Sequence, residues 1–195
     1  MELDINIFKI EYNKVVPKKG RVLVSEPFLK DTYFKRSLVL LTEHSIDGAV
    51  GFVLNKPLAI KASEVINDFP EIDAGVSIGG PVSTNTIHYL HTVCKLIPNS
   101  LQILDNIYWG GNFEIMRELI RSGEINESQI RFFLGYSGWQ AGQLENELDQ
   151  NSWLVTEINQ SQIMNVSENL WKNTVNQLGD KYKIWQNYPE NPSLN

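Results

Sequence analysis

GRVLVSEPFLKDTYFKRSLVLLTEHSIDGAVGFVLNKP, residues 20–57, decides the fold. Val22–Ser25, residues 37–42 and residues 49–54 read as three strands. Their apolar residues fall on consecutive positions, so each strand carries apolar side chains on both faces. Strands of that kind are covered on both sides. Ile46, Asp47 and Gly48 form a turn too short for a crossover, which predicts an antiparallel hairpin between the second and third strands. Gly51, inside the third strand, predicts a bulge or a close backbone approach.

A second block, RFFLGYSGWQAGQLENELDQNSW at 131–153, repeats the combination of apolar runs and glycines. The run 130–135 is the strongest late strand, residues 140–148 form a helix with Leu144 and Leu148 on one side, and 152–155 is a strand. Between the blocks, 61–69 has helical spacing (Ala62, Val65, Ile66, Phe69) and stops at Pro70. Gly75–Ile78 is a strand closed by Gly79-Gly80-Pro81. Further extended pieces cover 86–92, 94–97, 102–104 and 107–109. Asn112 is the N-cap of a helix whose inner face holds Ile115, Met116, Leu119 and Ile120, with Gly123 beyond its end. A helical turn covers 127–129. Ser167 caps a last helix presenting Leu170, Trp171, Val175 and Leu178, and Gly179 ends it. Asp4 caps a short helix carrying Ile5 and Phe8. The expectation is a single α+β domain over 20–187, a mixed, strongly bent or barrel-like sheet with helices outside. Residues 1–19 are an extension packed on it, and 188–195 a frayed tail.

The 195 residues suffice for one sizeable core, and 42% hydrophobic and 21% charged content fits an ordinary globule. A net charge of −6 and a pI near 5.1 disfavour direct nucleic-acid binding, because neutralising phosphates needs a basic footprint. Lys18, Lys19 and Arg21 are the nearest approach to one. Cys94 is the single cysteine, which excludes an intramolecular disulfide and fits a reducing, cytoplasmic setting. The first residues lack a basic segment followed by an apolar core, and no run has the length of a membrane span.

Seven residues stand out as candidates for ligand contact: Glu43, His44, Asn55, Gly79, Gly80, His91 and Trp139. Each also has a structural reading. Adjacent strand residues point to opposite faces, so Glu43 and His44 do not face one site together unless a bulge intervenes. Asn55 ends a strand and can simply pin a turn. His91 and His88 fall on opposite faces, so the strand offers no histidine pair; a hydrogen-bonded structural role suits His91. Gly79-Gly80 and Gly110-Gly111 read as turns, without the lysine of a phosphate loop. Gly135-Tyr136-Ser137-Gly138-Trp139 approaches a nucleophile elbow, but Trp139 stands where the final glycine is needed and all three histidines precede Ser137. The block then reads as a strand-to-helix turn plugged by Trp139. Metal-type spacings are absent, so neither metal nor cofactor is expected.

Taken together, these pieces resemble the YqgE/AlgH family of bacterial proteins. The resemblance runs from Gly20 to Trp153 through Gly20-x-Val22-Leu23-Val24, Pro27, Asp31, Phe34, Arg36-Ser37, Glu43-His44 and Gly48-Ala49-x-Gly51. It continues through Asn55-Lys56-Pro57, Gly79-Gly80-Pro81-Val82, Leu90-His91, Gly135–Trp139, Gln143-Leu144-Glu145-x-Glu147-Leu148 and Trp153. Ser25 departs from the usual alanine and Thr32 from a frequent proline. The resemblance implies a compact fold with a strongly bent sheet, no assigned enzyme activity, and a transcriptional-regulator label descending from alginate control. Three functions follow as expectations: a non-catalytic binding or regulatory module with a protein or small-molecule partner, preferred; a hydrolase acting on a small anionic substrate; and a DNA-binding regulator.

Overall fold

A computed structural model describes residues 13–188. The short helix expected around Asp4 and the tail beyond Tyr188 lie outside the described residues. The strands are β1 (Val22–Ser25), β2 (Leu38–Ser45), β3 (Gly48–Val53), β4 (Pro57–Lys61), β5 (Gly75–Ile78), β6 (Val82–His91), β7 (Leu101–Leu104), β8 (Ile107–Trp109), β9 (Ile130–Gln140) and β10 (Trp153–Thr156). The helices are α1 (Ala62–Val65), α2 (Phe113–Arg121), α3 (Gln143–Asp149), α4 (Gln160–Met164), α5 (Leu170–Gln177) and α6 (Asp180–Lys183).

The strands join in the order β10-β1-β2-β3-β9-β6-β8-β7, with β5 attached to β9 and β4 to β5. Every pairing is antiparallel except β5 with β9, which makes the sheet mixed. It is strongly bent and does not close into a barrel. Both outcomes agree with the expected α+β class.

Double-sided burial explains the apolar runs. Val22, Val24, Leu38, Leu40 and Leu154 pack on one side against Leu170, Trp171, Val175, Tyr182 and Trp185 from the C-terminal helices. Their neighbours Leu23, Val39, Leu41 and Val155 pack on the other, with Trp139, Trp153 and the α3 residues Leu144 and Leu148. Alternation by two therefore feeds two cores from one set of strands. A third core gathers Val76, Tyr89 and Phe132 against Met116 and Ile120 of α2.

The β2–β3 hairpin forms as expected. A bulge at Thr42 shifts its register, and a Cβ on Gly51 would lie 2.5 Å from the Leu40 carbonyl oxygen. Asn13 closes part of the β10 edge: its amide donates to the Val155 carbonyl at 2.7 Å and its oxygen accepts from the Val155 N–H at 3.2 Å.

Strand β9 is the seam. Its first half lies between β5 and β6, and its second half pairs with β3. Gly135, at φ +64°, turns the strand without ending it. The backbone at Gly79 and Gly80 presses directly against this kink. A Cβ on Gly79 would sit 2.2 Å from the Gly135 carbonyl oxygen, and one on Gly80 2.3 Å from Tyr136 backbone atoms.

Four expectations need correction. Residues 135–139 are strand, not a strand-to-helix turn, because a glycine kink and pairing with β3 carry the chain onward. The helix expected over 61–69 stops after Val65: Ile66 is extended and Asp68 takes φ +55°, so the helical spacing outlasts the helix. Residues 94–97 are a turn in which the Leu96 and Ile97 N–H groups donate to the Val93 carbonyl. Asn169, not Ser167, occupies the cap position of α5.

Arg131, near the start of β9, is buried in the core. Only 2% exposed, it donates to the Leu54 and Ile163 carbonyls and to Ser77 Oγ, and its guanidinium lies 5.0 Å from the Phe133 ring centre. Burial pushes its pKa down to about 10, so it stays charged at neutral pH. One side chain thus ties the end of β3, strand β5 and the end of α4.

Two outcomes follow. Gly79→Ala is expected to cost about 3 kcal/mol or to prevent folding, because the added methyl meets backbone; Gly75→Ala, which meets nothing within 4 Å, should shift stability by under about 1 kcal/mol. Arg131→Met should cost about 2–5 kcal/mol, because three acceptors lose their donor in the core. Urea unfolding measures both; equal stability of the two glycine variants, or an Arg131→Met loss below 1 kcal/mol, contradicts the assignments.

Candidate functional site

Most of the seven candidates hold the scaffold. His91 is fully buried. Its Nδ1 accepts from the Val93 N–H at 3.2 Å, so Nε2 carries the proton and faces the Gly110 carbonyl at 3.0 Å and Ser100 Oγ at 2.9 Å. Burial moves the ring pKa down, keeping it neutral. With Nε2 already protonated, His91 cannot take a proton from Ser100, whose hydroxyl points to the Ile97 carbonyl at 2.7 Å.

Trp139 is buried and donates Nε1–H to Glu147 at 2.9 Å. Trp153 donates to the same oxygen at 2.7 Å, and Gln143 donates to the other at 2.9 Å. Phe34 stacks on Trp139 and meets Trp153 edge-on. Glu147 therefore fastens α3 over two indoles. The sequence held a clue to this residue, since two buried indole N–H groups require an acceptor. His44 shares a lateral row with Ala49 and Trp139 across β2, β3 and β9, and pairs with Glu145 of α3 at 3.0 Å. Glu43 is exposed beside it, and the bulge precedes both residues, so the two still face apart.

Gly79 and Gly80 serve the crossing under β9. Ser137 is fully buried there and donates to the Gly79 carbonyl at 3.0 Å. Asp31 accepts from the N–H groups of Tyr33 and Phe34. No histidine among the described residues hydrogen-bonds Ser137, Glu43 or Asp31, so the pairing a hydrolase needs is not assembled at these positions.

Asn55 reaches a different setting. Its oxygen accepts from the Leu38 N–H at 2.8 Å and its amide donates to the Arg36 carbonyl at 2.9 Å, joining the ends of β2 and β3. It also lines a cleft of about 310 Å³ whose other walls are Arg36, Glu168, Asn169, Trp171, Lys172 and Gln186.

Packing, not chain proximity, builds this cleft. Trp171, on the first turn of α5, donates Nε1–H to the Ser25 carbonyl at 3.0 Å and so docks α5 at the end of β1. Arg36 takes φ +50°, a conformation that non-glycine residues hold only when their surroundings enforce it. Its guanidinium lies 5.4 Å from the Trp171 ring centre and donates to the Tyr188 carbonyl. By contrast, the Glu168, Asn169 and Lys172 side chains make no hydrogen bond or ion pair among the described residues. The cleft thus offers a fixed guanidinium, an unengaged ammonium, an unengaged carboxylate and amides. That set recognises polar groups; its lining contains no hydroxyl or thiol nucleophile.

The model of a protein family described as AlgH-like matches residues 22–183. A UPF0301 protein from Bacteroides fragilis is 41% identical over 197 residues, covering 100% of both chains. One from Parabacteroides distasonis is 42% identical, covering 97% of this chain and 98% of its own. Among solved structures, the AlgH protein from Pseudomonas aeruginosa aligns at a TM-score of 0.70 and 26% identity over 90% of this chain and 97% of its own. A crystal structure from Corynebacterium diphtheriae aligns at a TM-score of 0.76 and 21% identity over 96% and 100%, a likeness of fold. No helix among the described residues is long and apolar enough to cross a membrane. With a family match across the sheet and its covering helices, and relatives above 40% identity along the whole length, the chain belongs to the AlgH-like family.

Proposed function

We propose that this chain is a binding module whose ligand is a small polar molecule held in the cleft between Arg36 and α5. The observation that carries this reading is the contrast within that cleft. Arg36 and Trp171 are fixed by the scaffold, whereas Glu168, Asn169 and Lys172 present polar groups that no other described residue engages. A volume of about 310 Å³ lies at the small end of the range for ligand sites, roughly 300–1,000 Å³. The placement of the histidines supports binding over hydrolysis, since each is committed to a neighbour other than Ser137. The net charge of −6 supports an indirect regulatory role over direct contact with DNA. The single cysteine agrees with work in the cytoplasm.

Purified protein is to be incubated with the small-molecule fraction of a bacterial lysate, re-isolated, denatured, and the released compounds identified by mass spectrometry. Asn169→Trp, at an exposed position, blocks the cleft and serves as the comparison. The wild-type chain should release at least one compound that Asn169→Trp, folded with an unchanged melting temperature, does not. Identical release from both proteins sinks the reading.

A further inference from the structure

Resting on that cleft as the binding site, we infer that its ligand is zwitterionic, carrying an ammonium and a carboxylate a few ångströms apart as a free α-amino acid does. Three features of charge placement lead there.

The cleft holds both signs. Glu168 supplies a carboxylate, while Lys172 and Arg36 supply cations. A simple anion would satisfy the cations and be repelled by Glu168; a simple amine would do the reverse. A molecule bearing both charges satisfies both.

Glu168 lies in the turn just before the cap of α5, and Lys172 lies on the first turn of the helix. They form no ion pair with each other, and among the described residues neither side chain has another partner. Each is left to meet a charge from outside.

Lys172 also stands at the third position of α5, where the positive end of the helix dipole disfavours a cation. Asn169, at the cap position, makes no side-chain bond to the free amides. A carboxylate seated beside Lys172 would offset both, gaining from the ammonium and from the helix terminus together. An ammonium on the adjacent carbon would lie toward Glu168.

The test is a titration of the full chain, followed by ¹H–¹⁵N NMR, with three probes at millimolar concentrations: L-alanine, propionate and ethylammonium. Each of the last two lacks one charge of the first. L-Alanine should give saturable shifts in the amides of residues 168–172 and the Trp171 indole, with affinity at least about tenfold above either single-charge probe. Glu168→Gln should weaken L-alanine about tenfold and leave propionate unchanged or tighter; Lys172→Gln should weaken L-alanine and propionate alike. Both positions are exposed, and unchanged melting temperatures confirm that the variants fold. Propionate or ethylammonium binding at the cleft as well as L-alanine overturns the zwitterion while leaving the cleft as a binding site. Indifference of L-alanine affinity to Glu168→Gln overturns it too. Absence of any saturable shift at the cleft also rejects it, and the compound-release comparison then decides separately whether the cleft binds anything.

Discussion

The architecture depends on a backbone crossing where no side chain fits. Strand β9 must serve β5 and β6 with its first half and β3 with its second, so it has to change direction without breaking. Gly135 supplies the change, and Gly79 and Gly80 let the incoming segment lie against it at distances that exclude a Cβ. Ser137 then ties the two together through the Gly79 carbonyl. The glycine contacts are backbone on backbone, and the Ser137 hydroxyl is used only as a donor to a backbone carbonyl. That is why a glycine-serine motif resembling a catalytic elbow performs a structural task here. A strained nucleophile has to stand exposed above its turn, and Ser137 is fully buried in its strand.

Bending the sheet creates a second requirement, which Arg131 meets. The Leu54 carbonyl just past β3 and the Ile163 carbonyl near the end of α4 both accept from its guanidinium in the interior. A guanidinium answers several acceptors from one position, and its aliphatic stem is compatible with the surrounding core. Lysine presents a point charge and could not span the same acceptors. A buried charge is ordinarily costly, and the compensation here is one of geometry: two carbonyls, a hydroxyl and an aromatic face surround it.

What could be read from sequence was what is local. The β2–β3 hairpin followed from apolar strands flanking a short turn, and the cap of α2 from Asn112. The truncation of α1 was hidden because Ala62, Val65, Ile66 and Phe69 keep helical spacing after the backbone has left the helix at Ile66. The continuation of β9 was hidden because a glycine that kinks a strand looks the same in sequence as one that ends it. Arg131 resembled a strand boundary for a similar reason: nothing local says that a guanidinium at the start of an apolar run is inside. The cleft was only half legible. Asn55 could be singled out at a strand end, but its opposite wall comes from residues more than a hundred positions later. Trp171 was readable as inward-facing; that its indole would dock on Ser25, and so bring Glu168 and Lys172 opposite Asn55, depends on the assembled core.

That docking also sets how strongly the cleft can bind. Ordering a long side chain costs about 1.5–2 kcal/mol, and a hydrogen bond to a charged group returns about 1.5–3 kcal/mol. Glu168 and Lys172 are exposed and have no side-chain partner among the described residues, so each returns no more than about 1.4 kcal/mol, a factor of ten. Arg36 differs, because stacking on Trp171 and its bond to the Tyr188 carbonyl have ordered it already. Net affinity should then come mainly from the preordered guanidinium, with the two exposed charges deciding which ligand is accepted. A cleft of this construction discriminates by charge pattern while binding weakly. Under the proposed reading it suits a ligand present at high concentration, and occupancy would bear first on α5 and on Tyr188, which Arg36 joins.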